Sequence, residues 1–296
     1  MELNHHAIET PVRDASTVVL LRDAPAGLEV FLMKRSGLSD VLGGAYVFPG
    51  GKLDVADALD DLPNRLDQTP QALHTALNEP ALQHHSAAAL YVAALREAFE
   101  ESGVLFAEGA TKEVTAQATQ MLKAGTSFPS VLVQLGLQLQ TQHVHPWSRW
   151  ITPKLASVST KRFDTRFFIA AVPNHQTAEH DNYETTTSVW LTPRAALEEY
   201  WRGGIALAPP QIMSLAHLSH HSTVASALAE ARSKPPAVIE PEPFDYEGIR
   251  TITYPGDPQH SVRERALPGP TRLRYANKRF EPIDGFEALF LSHVST

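Results

Sequence analysis

The chain contains no cysteine, which excludes disulfide bridges, thiolate nucleophiles and cysteine-ligated zinc. No run approaches the roughly 18 apolar residues of a membrane-spanning helix. The opening, MELNHHAIETPVRD, has no apolar segment of the secretory type. Positive charge is also scarce: 25 Lys and Arg against 33 Asp and Glu give a net charge of −8. Broad binding to nucleic acid or anionic membranes needs clustered cations, so neither is an expected partner. A small anionic substrate held through a metal ion remains compatible. Of the 296 residues, 43% are hydrophobic and 20% charged, enough for a packed core in one large or two ordinary domains. The expected compartment is the cytoplasm.

Residues 15–22 (ASTVVLLR) and 28–35 (LEVFLMKR) are apolar and β-branched, and predict a hairpin turning at Ala24–Gly27. A short strand, AYVF, sits inside the glycine-rich stretch 36–57. The polar stretch 58–85 carries Pro63, Pro70 and Pro80 and reads as an inserted helical or irregular excursion. Ser86 is the expected cap of a helix running to Ser102, with Gly103 as its stop. Helices are expected at 111–124, 129–140 and 209–232 and from Pro193, and strands at 162–173 and 188–193. A Pro-rich connector, 233–243, leads to short strands from 244 onward, punctuated by PGDP and LPGP. The irregular alternation predicts a mixed α/β or α+β layered fold rather than a doubly wound parallel sheet. The expected organisation is a main domain over 10–232, the connector, and a β-rich appendage over 244–296.

The stretch AALREAFEESGVLF, residues 93–106, poses an electrostatic problem. Helical geometry puts Glu97, Glu100 and Glu101 on one arc about 100° wide. Like charges at this spacing repel, and anions near a helix C-terminus oppose its dipole. Arg96 can pair with Glu100 at i,i+4, which relieves one of the three. The opposite face, with Leu90, Ala94 and Ala98, is apolar and anchors the helix to a core. Hard oxygen ligands gathered this way suit Mg²⁺ or Mn²⁺, although a solvated acidic face has the same pattern.

Upstream, VFPGGKLDVAD (47–57) is a Pro-Gly-Gly turn leaving a strand, followed by Asp54 and Asp57. Together the two segments resemble the signature of the Nudix hydrolases, G-x5-E-x7-R-E-U-x-E-E-x-G-U. Gly51 matches its opening glycine, and Arg96-Glu97, Glu100-Glu101, Gly103 and Val104 match its closing half in register. Asp57 stands where the family has Glu, and Ala98 where an aliphatic residue is usual. The gap between the halves, 58–95, holds 38 residues where the family has seven. A box split at this point resembles a long-chain Nudix branch that includes peroxisomal coenzyme A diphosphatases. Stretches 30–51, 147–173, 188–193 and 208–218 are similar to that branch as well. The ending, SHVST, is not a peroxisomal address of the S-K-L type, so that compartment is not carried over.

The resemblance implies an α/β/α sandwich around a mixed sheet, with a helical insertion inside the box and a C-terminal extension. It also implies metal-dependent cleavage of a diphosphate in a nucleoside-diphosphate-linked substrate, with coenzyme A or acyl-CoA as the leading candidate. ADP-ribose, NADH or a capped nucleotide, or a nucleotide-sensing module without turnover, are the alternatives. By the match, Glu97 and Glu101 are metal ligands, Glu100 is a ligand directly or through water, Arg96 orients the carboxylates, and the backbone at Gly50 and Gly51 completes the site. Glu184 is the first candidate for general base, with Asp57 as the alternative. The family often dimerises, so a homodimer is one expected state.

Three further patterns stand apart from the motif. In RFDTRFF, strand alternation puts Arg162, Asp164 and Arg166 on one face, as a phosphate-binding set or as a salt-bridged strand face. Trp147, Trp150, Trp190 and Trp201 are expected in the core. His217, His220 and His221 have a spacing that suits zinc, but no acidic ligand stands near them in the sequence, and they are read as surface histidines.

Overall fold

The computed structural model describes residues 4, 6–37, 43–58, 62–155, 161–180 and 185–291. Its axis is strand β1 (Arg13–Ala24). Val18 and Leu20 enter one apolar cluster, Val19 and Leu21 the other. A strand covered on both faces has no solvent side, which is why its sequence is a continuous apolar run rather than an alternation. Gly27, at φ 113°, turns the chain into β2 (Gly27–Arg35), which pairs antiparallel with the far end of β1. Strands β3 (Tyr46–Val47) and β4 (Gly50–Lys52) follow, β3 against β2 and β4 against the near end of β1.

Helices α1 (Pro70–Leu77), α2 (His84–Ser102), α3 (Lys112–Lys123) and α4 (Phe128–Leu135) contribute to the cluster on one face of the sheet. The alanine-rich middle of α2 is buried. There the hydroxyl of Ser16 on β1 donates to the Leu90 carbonyl at 2.7 Å. The chain then returns to the sheet through β5 (His145–Ile151), β6 (Phe163–Ala171) and β7 (Thr185–Leu191). Helices α5 (Pro193–Arg202), α6 (Pro209–Leu218) and α7 (Val224–Ser233) contribute to the cluster on the opposite face. Strand β8 (Ala237–Ile239) adds to β5, making an eight-stranded mixed sheet in which β1–β6 and β5–β8 are parallel. Strands β9 (Glu242–Tyr246), β10 (Ile249–Thr253), β11 (Arg272–Ala276) and β12 (Arg279–Glu281) form a separate four-stranded antiparallel sheet. Its Ile252, Leu273 and Phe280 join the second apolar cluster. The expected α/β/α sandwich around a mixed sheet is the architecture found. Among the described residues, no helix is long and apolar enough to cross a membrane.

Several local expectations need correction. Helix α2 starts three residues early, with Gln83 as its cap and no side-chain cap bond, so Ser86 lies inside the first turn. Its stop at Gly103 is as expected, with φ 72°. The single helix expected over 209–232 breaks after Leu218, and α7 restarts at Thr223, whose hydroxyl accepts from the Ser226 N–H. Strands β5 and β8 were not expected, and β8 makes the Pro-rich stretch part of the main sheet. The described part of the insertion is not a peripheral excursion: Leu62, Leu66, Leu73 and Leu77 are buried in the first cluster.

Candidate active site

The glycine turn brings β4 beside the last turns of α2. The Gly50 N–H donates to Glu101 Oε2 at 2.7 Å. No side chain fits here: a Cβ on Gly51 would lie 2.3 Å from Glu97 Oε1, and one on Gly50 would lie 2.5 Å from Thr17 Oγ1. The two glycines therefore let strand and helix approach to carboxylate–backbone contact.

Arg96 is the hub. Its Nε and Nη2 donate to Asp57 Oδ1 and Oδ2 at 2.8 and 2.9 Å, and its Nη1 to Glu97 Oε1 and Glu100 Oε2 at 2.8 and 2.9 Å. Nη2 also reaches the Lys52 carbonyl at 3.2 Å. Asp57 is buried and additionally accepts from the Asp54 N–H at 2.8 Å. The shorter Asp57 side chain thus spans to the guanidinium, and the two halves of the split motif meet in space. Within this cluster, three carboxylates (Asp57, Glu97 and Glu100) gather round one guanidinium, and a fourth, Glu101, is held beside them by the Gly50 N–H. Burial pushes the Glu97 carboxyl up to about 7, against the pull of Arg96, and its like-charged neighbours Glu100 and Asp57 add to the rise. Burial raises Glu100 as well. Four carboxylates with Arg96 as the cation among them leave negative charge to be balanced, and their hard oxygens fit Mg²⁺ or Mn²⁺.

A cavity of about 770 Å³ opens over this cluster. Glu97, Glu100, Glu101, Gly50 and Gly51 line it, as do the cationic side chains Arg13, Arg35, Lys52 and Lys161. Its apolar lining includes Phe48, Trp150, Phe163 and Phe167 from the sheet and Pro209 from the start of α6. Pro241, Pro243 and Ile252 from the C-terminal part complete the wall.

Arg162, Asp164 and Arg166 do not line this cavity. Alternation along β6 holds, and of the two readings the salt-bridged strand face is the one found: Phe163, Thr165 and Phe167 point to the cavity, and the polar set points away from it. Arg166 is buried, its Nε and Nη2 donating to Glu79 Oε1 and Oε2 at 2.9 and 2.7 Å, and its Nη1 pairing with Asp14. Asp164 accepts two bonds from Arg149, at 2.8 and 2.6 Å, and Arg149 in turn meets Glu79 at 2.9 Å. Arg162 holds the Thr152 carbonyl at 3.0 Å. The substrate-binding expectation for these three is therefore corrected: they tie the sheet to Glu79 of the insertion and to neighbouring backbone. None of the described residues of 58–85 lines the cavity.

Glu184 lies outside the described residues. Trp147 and Trp150 are buried as expected, and Trp150 also faces the cavity. Of the histidines read as surface residues, His220 is exposed as expected, but His217 is buried, and Glu230 on α7 joins His217 and His221 in a cluster able to coordinate a metal, with ligand atoms within 4.8 Å of one another. Sequence reasoning missed Lys52, Arg13, Gln211, Glu79 and Glu230. Lys52 and Gln211 stood in stretches, 47–57 and 208–218, that resemble the family, but neither residue was singled out.

The profile of the NUDT19 Nudix domain matches residues 12–218, more than half of the chain. Acyl-coenzyme A diphosphatase NUDT19 of Xenopus laevis is 31% identical over 231 residues, covering 66% of this chain and 61% of that protein. Putative nudix hydrolase 7 of Caenorhabditis elegans is 25% identical over 269 residues, covering 90% of this chain and 80% of the relative. The chain thus spans about three fifths of the Xenopus relative's length. A crystal structure of a NUDIX hydrolase from Alicyclobacillus acidocaldarius superposes with a TM-score of 0.60 at 25% identity, covering 75% of this chain and 97% of that one. With the motif reassembled in space and the profile spanning both of its halves, the chain belongs to the NUDT19 Nudix domain family.

Proposed function

We propose that this protein is a Mg²⁺- or Mn²⁺-dependent diphosphatase that cleaves the P–O–P linkage of coenzyme A or an acyl-CoA. The observation that carries the reading is one cavity lined by acidic, cationic and apolar groups together. Coenzyme A has that same mixture: a diphosphate, a further phosphate on the ribose, and a long, weakly polar arm. Relatives named acyl-coenzyme A diphosphatase support the same choice.

Glu97, Glu100 and Glu101 would hold the metal, which would neutralise the diphosphate and acidify the attacking water. Arg96, itself clamped by Asp57, keeps the Glu97 and Glu100 carboxylates in one orientation. The Gly50 N–H fixes Glu101. Arg13, Arg35, Lys52 and Lys161 supply positive charge for the phosphates outside the metal's reach. Trp150, Phe163 and Phe167 offer apolar area to the arm and to any acyl chain. Glu184 is the general base of this reading. The backbone of Thr185 pairs with Arg35, which lines the cavity. The reading keeps 10–232 as the catalytic unit, with Pro241 and Pro243 of the connector and Ile252 of 244–296 lending a wall of the cavity. It also keeps the cytoplasm as compartment, no nucleic acid as partner, and a homodimer as the assembly to look for.

The test is a turnover panel with Mn²⁺ over free coenzyme A, short- and long-chain acyl-CoA, ADP-ribose, NADH and a capped nucleotide. The expected products are a phosphopantetheine and an adenosine bisphosphate, with Glu100→Gln and Glu101→Gln slowing their release by about 10²-fold or more. Tight binding of these compounds without any product over hours would make the protein a sensor instead.

A further inference from the structure

We propose that His217, His221 and Glu230 form a second metal site, of the zinc type, which ties the end of α6 to α7 and lies apart from the catalytic carboxylates. The geometry is convergent. His217 Nε2 lies 2.7 Å from Glu230 Oε1, and His221 Nε2 lies 2.8 Å from Glu230 Oε2. The side chains of His217, His221 and Glu230 are 7%, 10% and 23% exposed, so the three donors meet in a largely dry place. The Trp147 ring packs over His217 with centroids 4.3 Å apart and closes the site from the sheet side.

Proton bookkeeping favours a cation between these donors. The Ser226 hydroxyl donates to the Thr223 carbonyl at 2.8 Å. Its single proton is then used, so the 3.2 Å contact with His221 Nδ1 needs the hydrogen on the imidazole. A neutral imidazole with a proton on Nδ1 has a bare lone pair on Nε2. That Nε2 is buried, makes no hydrogen bond, and still sits against a carboxylate oxygen. Two lone pairs at this separation repel unless a positive centre lies between them. Second-shell anchoring of one imidazole nitrogen with the other aimed at a shared carboxylate is how histidine ligands are commonly prepared. On the second histidine, Nδ1 of His217 is also buried and without a hydrogen-bond partner.

Two imidazoles and one carboxylate with an open fourth position are a borderline-soft set, suited to Zn²⁺ or Co²⁺ and poorly suited to Mg²⁺. Ligand atoms around a tetrahedral zinc stand about 3.3 Å apart. Glu230 must therefore draw back by roughly half an ångström, which its partial exposure allows. The Lys234 ammonium now occupies one side of the carboxylate, 2.5 Å from Oε1, on a side chain 56% exposed. It competes with the metal and leaves for solvent when the metal binds. From Gln211 at the cavity to His217 is about 9 Å along α6, so the metal would brace the helix whose first turn forms part of the cavity wall.

The experiment is a Co²⁺ titration of the full chain with Mg²⁺ in large excess to fill the oxygen-ligand site, read by visible absorption. The expected result is one Co²⁺ per chain, with the intense bands of a tetrahedral ion bound by imidazole, displaced by Zn²⁺. His221→Ala and Glu230→Gln should each weaken binding by about 10²-fold, and Lys234→Ala should strengthen it several-fold. The Lys234 variant removes an exposed side chain and keeps the test decisive if the other two fold poorly. No intense band, or a band that none of the three substitutions changes, would overturn the proposal. In the first case the His221–Glu230 contact is bridged by a proton alone; in the second the metal sits elsewhere. Neither outcome bears on the diphosphatase reading, which involves none of these residues.

Discussion

The proton held by Glu97 gives a direct measure of whether the carboxylate cluster is a metal seat. Its carboxyl, ordinarily at 4.5, is pushed up to about 7 in the metal-free fold, chiefly by burial. A folded-state value above the unfolded one favours the protonated form. Its stabilising effect is complete below pH 4.5 and is lost as pH rises through 7, a change of about 3 kcal/mol. Melting temperature is a poor readout, because burial lowers His145 to about 4. That shift acts with opposite sign: it costs stability as pH falls from 6.5 towards 4. Metal affinity separates the carboxylate cluster, Glu97 and the likewise raised Glu100, from His145. If a cation must displace the Glu97 proton, Mn²⁺ affinity rises about 15-fold between pH 5.5 and 7 and only about twofold between 7 and 8.5. An ordinary carboxylate near 4.5 would give a rise of only about 1.1-fold over the first interval. Free Mn²⁺ can be counted by electron paramagnetic resonance at each pH, and the protons released by calorimetry in buffers of different ionisation enthalpy. An affinity that stays within twofold from pH 5.5 to 7, with no proton released at pH 6, would refute the reasoning.

Three other outcomes follow from the geometry. Gly51→Ala would put a methyl 2.3 Å from Glu97 Oε1, so the carboxylate must move, and Mn²⁺ affinity should fall by about 10–100-fold in a titration. Asp57→Asn keeps the side chain's size but removes the charge that clamps Arg96 from two sides; steady-state kinetics should show a kcat lower by about 10–100-fold with KM little changed. Glu79→Gln leaves Arg166 and Arg149 short of a buried counter-charge. Thermal unfolding should then shift down by roughly 10 °C, from a loss of about 3–5 kcal/mol, while KM for a coenzyme A substrate stays within twofold; a large rise in KM would return Arg166 to the substrate site.

What could be read from the sequence was what is local in it. The last two turns of α2 announce themselves because Arg96, Glu97, Glu100 and Glu101 lie within six residues, and helical geometry alone puts them together. The glycine pair was legible for a similar reason, since only a close approach requires two residues without side chains. The face of β6 was not legible. Alternation separates Arg162, Asp164 and Arg166 from Phe163, Thr165 and Phe167, but period two is silent on which set meets ligand and which meets protein. The deciding partner was Glu79, 87 residues from Arg166 in the chain. The insertion looked peripheral because its prolines and polar residues outnumber its leucines. Yet Leu62 and Leu66, and Leu73 and Leu77, fall at i,i+4, and that spacing marks a buried stripe whatever lies between.

The histidines of 217–221 follow the same rule in reverse. They were set aside for lack of a nearby acid, but the break after Leu218 turns α7 back so that Glu230, nine residues beyond His221, faces them. The cue for that break was present: Thr223 and Ser226 have the spacing of a helix start, and Thr223 caps α7 through the Ser226 N–H. A continuous helix would have put Glu230 nine residues, about 13 Å, further along the axis from His221 and out of reach. The metal-binding geometry therefore depends on one cap. Thr223→Ala should weaken the Co²⁺ site without touching any of its ligands, whereas Thr223→Ser, which keeps the hydroxyl, should leave it intact. If the two variants bind Co²⁺ equally well, the cap does not set the geometry of this cluster.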